Sequence, residues 1–88
     1  MGFKVGSKVK FTYFDGADDE YFEMDKVYTI GRVEGNLFDH ECAVYMEGIP
    51  DMFSWLNQLK LVVEDNAINR LLYPEYKPVN GYLEEDDV

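Results

Sequence analysis

From the start of the chain apolar and polar residues alternate, with Val9, Phe11 and Tyr13 interleaved with Lys8, Lys10 and Thr12. A two-residue period is that of a β-strand with one face toward a core and the other toward water. Residues 7–14 are therefore the first expected strand. Asp15-Gly16 ends it, glycine supplying the positive φ of a tight turn. The pattern predicts further strands over 27–33, with Tyr28 and Ile30 inward, over 41–47, with Cys42, Val44 and Met46 on one face, and over 59–63. It recurs over 19–25, where Phe22 and Met24 share one side and Asp19, Tyr21, Glu23 and Asp25 the other. If that segment is extended, three carboxylates and a tyrosine project together.

Turn signals separate these segments, at Glu34-Gly35-Asn36 and at Gly48-Ile49-Pro50-Asp51. Phe53-Ser54-Trp55-Leu56 is too short for a stable helix and suits one helical or 3₁₀ turn before the last strand. After Glu64, Asp65-Asn66 is placed to cap a short helix carrying Ala67, Ile68, Leu71 and Leu72, which Pro74 stops. Beyond it, Pro74 and Pro78, the tyrosines Tyr73, Tyr76 and Tyr82, and the acidic run Glu84-Glu85-Asp86-Asp87 read as an extended tail. The expectation is a mainly β domain over residues 1–64, followed by a short helix or turn and an acidic tail over 65–88.

Length leaves room for one modest core, and 47% hydrophobic residues exclude a disordered chain despite a net charge of −10. The lone Cys42 has no intramolecular disulfide partner, and no charged-then-apolar leader opens the sequence, so a cytoplasmic location is expected. No apolar run is long enough to span a bilayer, and the negative charge disfavours anionic lipid surfaces. Eight basic residues stand against eighteen acidic ones, and only Lys4, Lys8 and Lys10 cluster, so direct nucleic-acid binding is not expected.

Charge is densest over 15–25, where Asp15, Asp18, Asp19, Glu20, Glu23 and Asp25 fall together. Like charges this close repel. Three readings compete: a solvated loop that confers solubility, a surface complementary to a basic partner, and a calcium site. The calcium reading is poor, because Glu20 stands where a helix-flanked calcium loop needs glycine and Lys26 where it needs a bidentate acid.

His40 and Cys42 share a strand face, but structural zinc needs about four ligands, and no motif supplies the orienting group of a nucleophilic site. The glycines form no phosphate cradle. No metal, cofactor or catalytic residue is therefore expected. By strand parity Phe14 faces away from Phe11 and Tyr13. With Tyr21 it would join the carboxylates in a mixed aromatic and acidic patch of the kind that anchors interfaces.

Val5-Gly6-Ser7-Lys8-Val9 leading into the first strand, Lys26-Val27-Tyr28-Thr29-Ile30, and Trp55-Leu56 before Leu59-Lys60-Leu61-Val62 make a recognisable series over residues 3–63. It resembles the Src-homology-3-like barrels of small bacteriophage proteins, and the resemblance implies a five-stranded barrel. Residues 15–25 fall where such domains carry a long specificity loop. Proline-rich peptide recognition is not carried over, because the paired tryptophan of the peptide-binding members is missing and only Trp55 is present.

The resemblance further implies an accessory role in an infected bacterium, blocking or redirecting a host protein. The expected function is thus a non-enzymatic protein-binding module. Its acidic face, comprising Phe14, Asp15, Asp18, Asp19, Tyr21, Glu23 and Asp25, engages a basic host protein; if that protein ordinarily holds nucleic acid, the carboxylates stand in for its phosphates. The alternative is an assembly subunit of an oligomer or virion, using a sheet edge and the Tyr-rich tail.

Overall fold

The computed structural model of the chain describes residues 3–35 and 42–85. Seven strands, β1 (Lys8–Phe11), β2 (Tyr28–Glu34), β3 (Ala43–Met46), β4 (Ile49–Trp55), β5 (Leu59–Glu64), β6 (Lys77–Val79) and β7 (Tyr82–Glu84), make one antiparallel sheet ordered β4-β3-β2-β1-β5-β7-β6. Two 3₁₀ turns, Asp18–Glu20 and Leu56–Gln58, and one helix, α1 (Ala67–Leu72), complete the described elements.

Alternation places Val9 and Phe11 of β1, Tyr28 and Ile30 of β2, Val44 and Met46 of β3 and Leu59 of β5 in one core cluster, joined by Phe22, Cys42 and Leu56. The strands wrap one face around this core, and local irregularities give them the bend to do so. Register shifts fall between Ile30 and Arg32 in β2 and between Tyr45 and Met46 in β3, where an extra residue increases local twist. Gly31 sits at the first shift, and a Cβ there would come within 3.2 Å of the Glu47 backbone nitrogen.

The mainly β class stands, but the closed five-stranded barrel does not. The sheet is open, with β4 and β6 at its edges. Each edge carries a proline, Pro50 in β4 and Pro78 in β6. Proline lacks the N–H that an interior strand must donate, so it is tolerated only at an edge or bulge. Pro50 with Gly48 reads as punctuation, which is why β4 was expected to be a turn; the 3₁₀ turn falls after it, three residues later than expected.

The segment 19–25 is not a strand either. A 3₁₀ turn occupies Asp18–Glu20, and Phe22 is buried while Met24 is exposed. The expected short helix forms as α1, and the residues beyond it that read as an extended tail make, over their described part, a hairpin. Asn66 caps α1 by accepting from the Asn69 N–H at 2.8 Å, and Asp65 makes a two-pronged pair with Arg70. β6 and β7 then join the sheet through β5.

The outer face of β1 is not wet. Lys10 is 6% exposed and pairs with Glu84 of β7, whose second carboxylate oxygen lies 3.0 Å from Lys60 of β5. Lys10 and Lys60 are direct cross-strand partners, so two like charges oppose each other, and the Glu84 carboxylate bridges them. Among the described residues, no helix is long and apolar enough to cross a membrane.

Candidate functional site

The acidic segment is held by three anchors. Phe22 enters the core, its ring 4.6 Å from that of Phe11 and 5.6 Å from that of Tyr28, edge-on to the latter. The Tyr28 hydroxyl accepts the Glu23 backbone N–H at 2.8 Å. The third anchor is Asp18, 3% exposed, whose carboxylate accepts from the Asp15 N–H at 3.0 Å and from the Gln58 side-chain amide at 2.7 Å.

Gln58, itself 1% exposed, also accepts the Trp55 N–H at 2.9 Å and donates to the Tyr13 carbonyl at 3.3 Å. A buried amide with several partners fixes loop and turn against each other, since each unmade bond in that setting is costly.

The expected site residues separate accordingly. Asp15, Asp19, Glu23 and Asp25 are exposed, as are Glu20 and the 44%-exposed Tyr21. Asp18 is withdrawn into the staple and offers no charge to a partner. Phe14 does not face outward: β1 ends at Phe11, so strand parity no longer governs position 14, and its ring packs edge-on against Phe11 at 5.2 Å. Tyr13 is the exposed one, its hydroxyl 3.3 Å from the Asn57 side chain. None of the ion pairs among the described residues includes Asp15, Asp19, Glu20, Glu23 or Asp25.

Beside the loop, β4 supplies what the sequence reading left out of the site. Asp15, Gly16 and Ala17 form one bank of a groove of about 200 Å³, and Met52, Phe53 and Trp55 form the other. The Phe53 and Trp55 rings stand edge to face at 5.0 Å, both exposed, and Tyr45 continues the aromatic strip at 6.1 Å from Phe53. The signal was present: Phe53 and Trp55 flank Ser54, which is fully buried, so aromatics alternate outward around a small inward residue. A second depression is lined by Asp19, Glu20, Glu23, Lys26 and Ile49, with the Lys26 ammonium 5.4 Å from the Tyr28 ring centre.

No group of three or more His, Cys, Asp or Glu among the described residues is arranged to hold a metal ion. The Cys42 thiol is buried, and His40 lies outside the described residues. Comparison with protein-family models, with curated proteins and with solved structures finds no match to this chain. Fold and surface therefore define a class: a small, mainly β domain with a stapled acidic loop beside an aromatic strip.

Proposed function

We propose that the protein is a non-enzymatic protein-binding module, an accessory protein of the phage type, whose acidic loop engages the basic surface of a host protein. One observation carries this reading: Asp19, Glu20, Glu23 and Asp25 are exposed and, among the described residues, in no ion pair, on a loop immobilised by Gln58 next to exposed Phe53 and Trp55. A rigid anionic face speeds and orients encounter with a cationic one, and desolvated aromatics supply most of the binding energy at an interface. If the partner ordinarily holds nucleic acid, the carboxylates take the place of phosphates. Pro50 and Pro78 blunt the sheet edges, which weighs against the assembly-subunit alternative.

The test is retention from bacterial lysate on the immobilised protein, compared with an Asp19→Lys/Glu20→Lys/Glu23→Lys variant and with Trp55→Ala. A host protein retained by the native chain alone, and released both by salt and by duplex DNA, is the expected result. Equal retention by all three chains would rule the reading out, and salt release without DNA displacement would remove the nucleic-acid mimicry.

A further inference from the structure

Lys4 and Lys8 stand apart from the acidic surface. Lys10, Lys60, Arg32 and Arg70 are in ion pairs, whereas none among the described residues includes Lys4, Lys8, Lys26 or Lys77, and the Lys8 ammonium donates to the Thr29 hydroxyl at 3.4 Å. Both lysines line a cleft of about 420 Å³ between the turn that precedes β1 and helix α1. Leu61 and Val63 of β5 contribute apolar lining, Asn69 and Tyr73 form the helix side, and one carboxylate, that of Glu64, shares the wall. A cleft richer in cations than in anions is unexpected on a chain of net charge −10.

The apolar surface continues past the cleft. α1 buries none of its residues, and Ile68, Leu71 and Leu72 are 69%, 83% and 67% exposed. At about 100° per residue, Ile68 and Leu72 lie on the helix flank next to Asn69 and Tyr73, so apolar surface runs from the cleft over the crest of α1. Aliphatic residues spaced i, i+3, i+4 form the ridge that a second helix takes between its own side chains.

We propose that the cleft and the crest of α1 dock an acidic amphipathic helix of a partner protein. Lys4 and Lys8 select its acidic face and the Ile68–Leu72 ridge its apolar one. An extended segment finds little to pair with, because the β1–β5 ladder runs up to Lys8 and Val62, and beyond it the Glu64 carbonyl already accepts from the Asn69 side-chain amide at 2.8 Å. The occupant must bring its own backbone hydrogen bonds, which a helix does. This surface is separate from the acidic loop and does not depend on the function proposed for it.

The probe is a fluorescent synthetic helix of about 14 residues, with leucines on one face and glutamates on the other. A control peptide has the same composition with the leucines scattered. The expected result is saturable binding of the amphipathic peptide alone, with amide shifts at Lys4, Lys8, Asn69 and Leu72. Binding weakens about tenfold in Lys4→Glu/Lys8→Glu and in Ile68→Ser/Leu72→Ser, variants whose melting temperatures match the native protein. No saturable binding, equal binding of both peptides, or shifts confined to another face would overturn the proposal. Self-association through Leu71 and Leu72 without peptide would overturn it too, assigning the face to a second copy.

Discussion

Glu84 on β7 reaches across β5 to pair with Lys10 on β1, joining positions 74 residues apart. The same carboxylate holds Lys60, so one side chain fastens the C-terminal hairpin and bridges two lysines that face each other across the β1–β5 ladder. Substituting Glu84→Gln removes the counter-charge of the Lys10 ammonium in a site nearly closed to water. The expected loss is about 3 kcal/mol in denaturant unfolding, with amides of β6 and β7 exchanging faster than those of β2 and β3. A loss under 0.5 kcal/mol with unchanged exchange contradicts this role.

The same contact sets an acid response. Burial alone would raise the Glu84 pKa, but the hydrogen bonds and charges of Lys10 and Lys60 outweigh it and hold the carboxyl below its ordinary 4.5. A group whose folded pKa is depressed contributes its full stability above the unfolded value and loses it as pH falls through the folded one. Melting temperature should therefore drop as pH is lowered below 4.5, and the Glu84→Gln chain should show a smaller drop over the same interval. Parallel curves for the two proteins would place the acid sensitivity elsewhere.

Within the acidic loop, charge and stability should part company. Asp18→Ala strips Gln58 and the Asp15 N–H of their acceptor, and about 2 kcal/mol of destabilisation is expected. Asp19→Lys and Glu23→Lys alter exposed, unpaired groups and should change stability by less than about 0.5 kcal/mol. Denaturant titration of the three variants checks the contrast.

The β6–β7 turn is the next candidate. Asn80 and Gly81 both have positive φ, 49° and 86°, between the paired residues Val79 and Tyr82. This two-residue turn matches the twist of the strands it joins. Gly81→Ala forces a Cβ into the left-handed region and should cost about 1 kcal/mol, seen as a lower denaturant midpoint with the cooperativity unchanged.

Ser54 is fully buried, and among the described residues its hydroxyl has no hydrogen-bond partner. Removing an unsatisfied buried donor relieves a desolvation cost, so Ser54→Ala should be neutral or stabilising by up to about 1 kcal/mol. A destabilised Ser54→Ala protein would reveal a partner for that hydroxyl.

Asn80-Gly81 also shows how a hairpin went unread in the sequence. That dipeptide is a strong short-range hairpin signal, but Pro78 and the acidic run around it have the composition of a tail. Pro50 hid β4 in the same way, and with it the placement of Phe53 and Trp55 beside the loop. In each case the proline is barred from an interior strand but accepted at an edge, and which strand lies at the edge is not written in the local pattern.

Local periodicity was enough to determine that the chain is mainly β and that Val9, Phe11, Tyr28, Ile30, Cys42, Val44 and Met46 point inward, because alternation is written into neighbouring residues and needs no partner. It also located the acidic segment and the cap of α1. Tertiary structure alone decided that Asp18 is buried on Gln58, that Phe14 lies against Phe11, and that Lys10 meets Glu84. Those outcomes depend on which distant segments become neighbours once the sheet has formed, and a charge or a ring has no fixed side until that neighbour arrives.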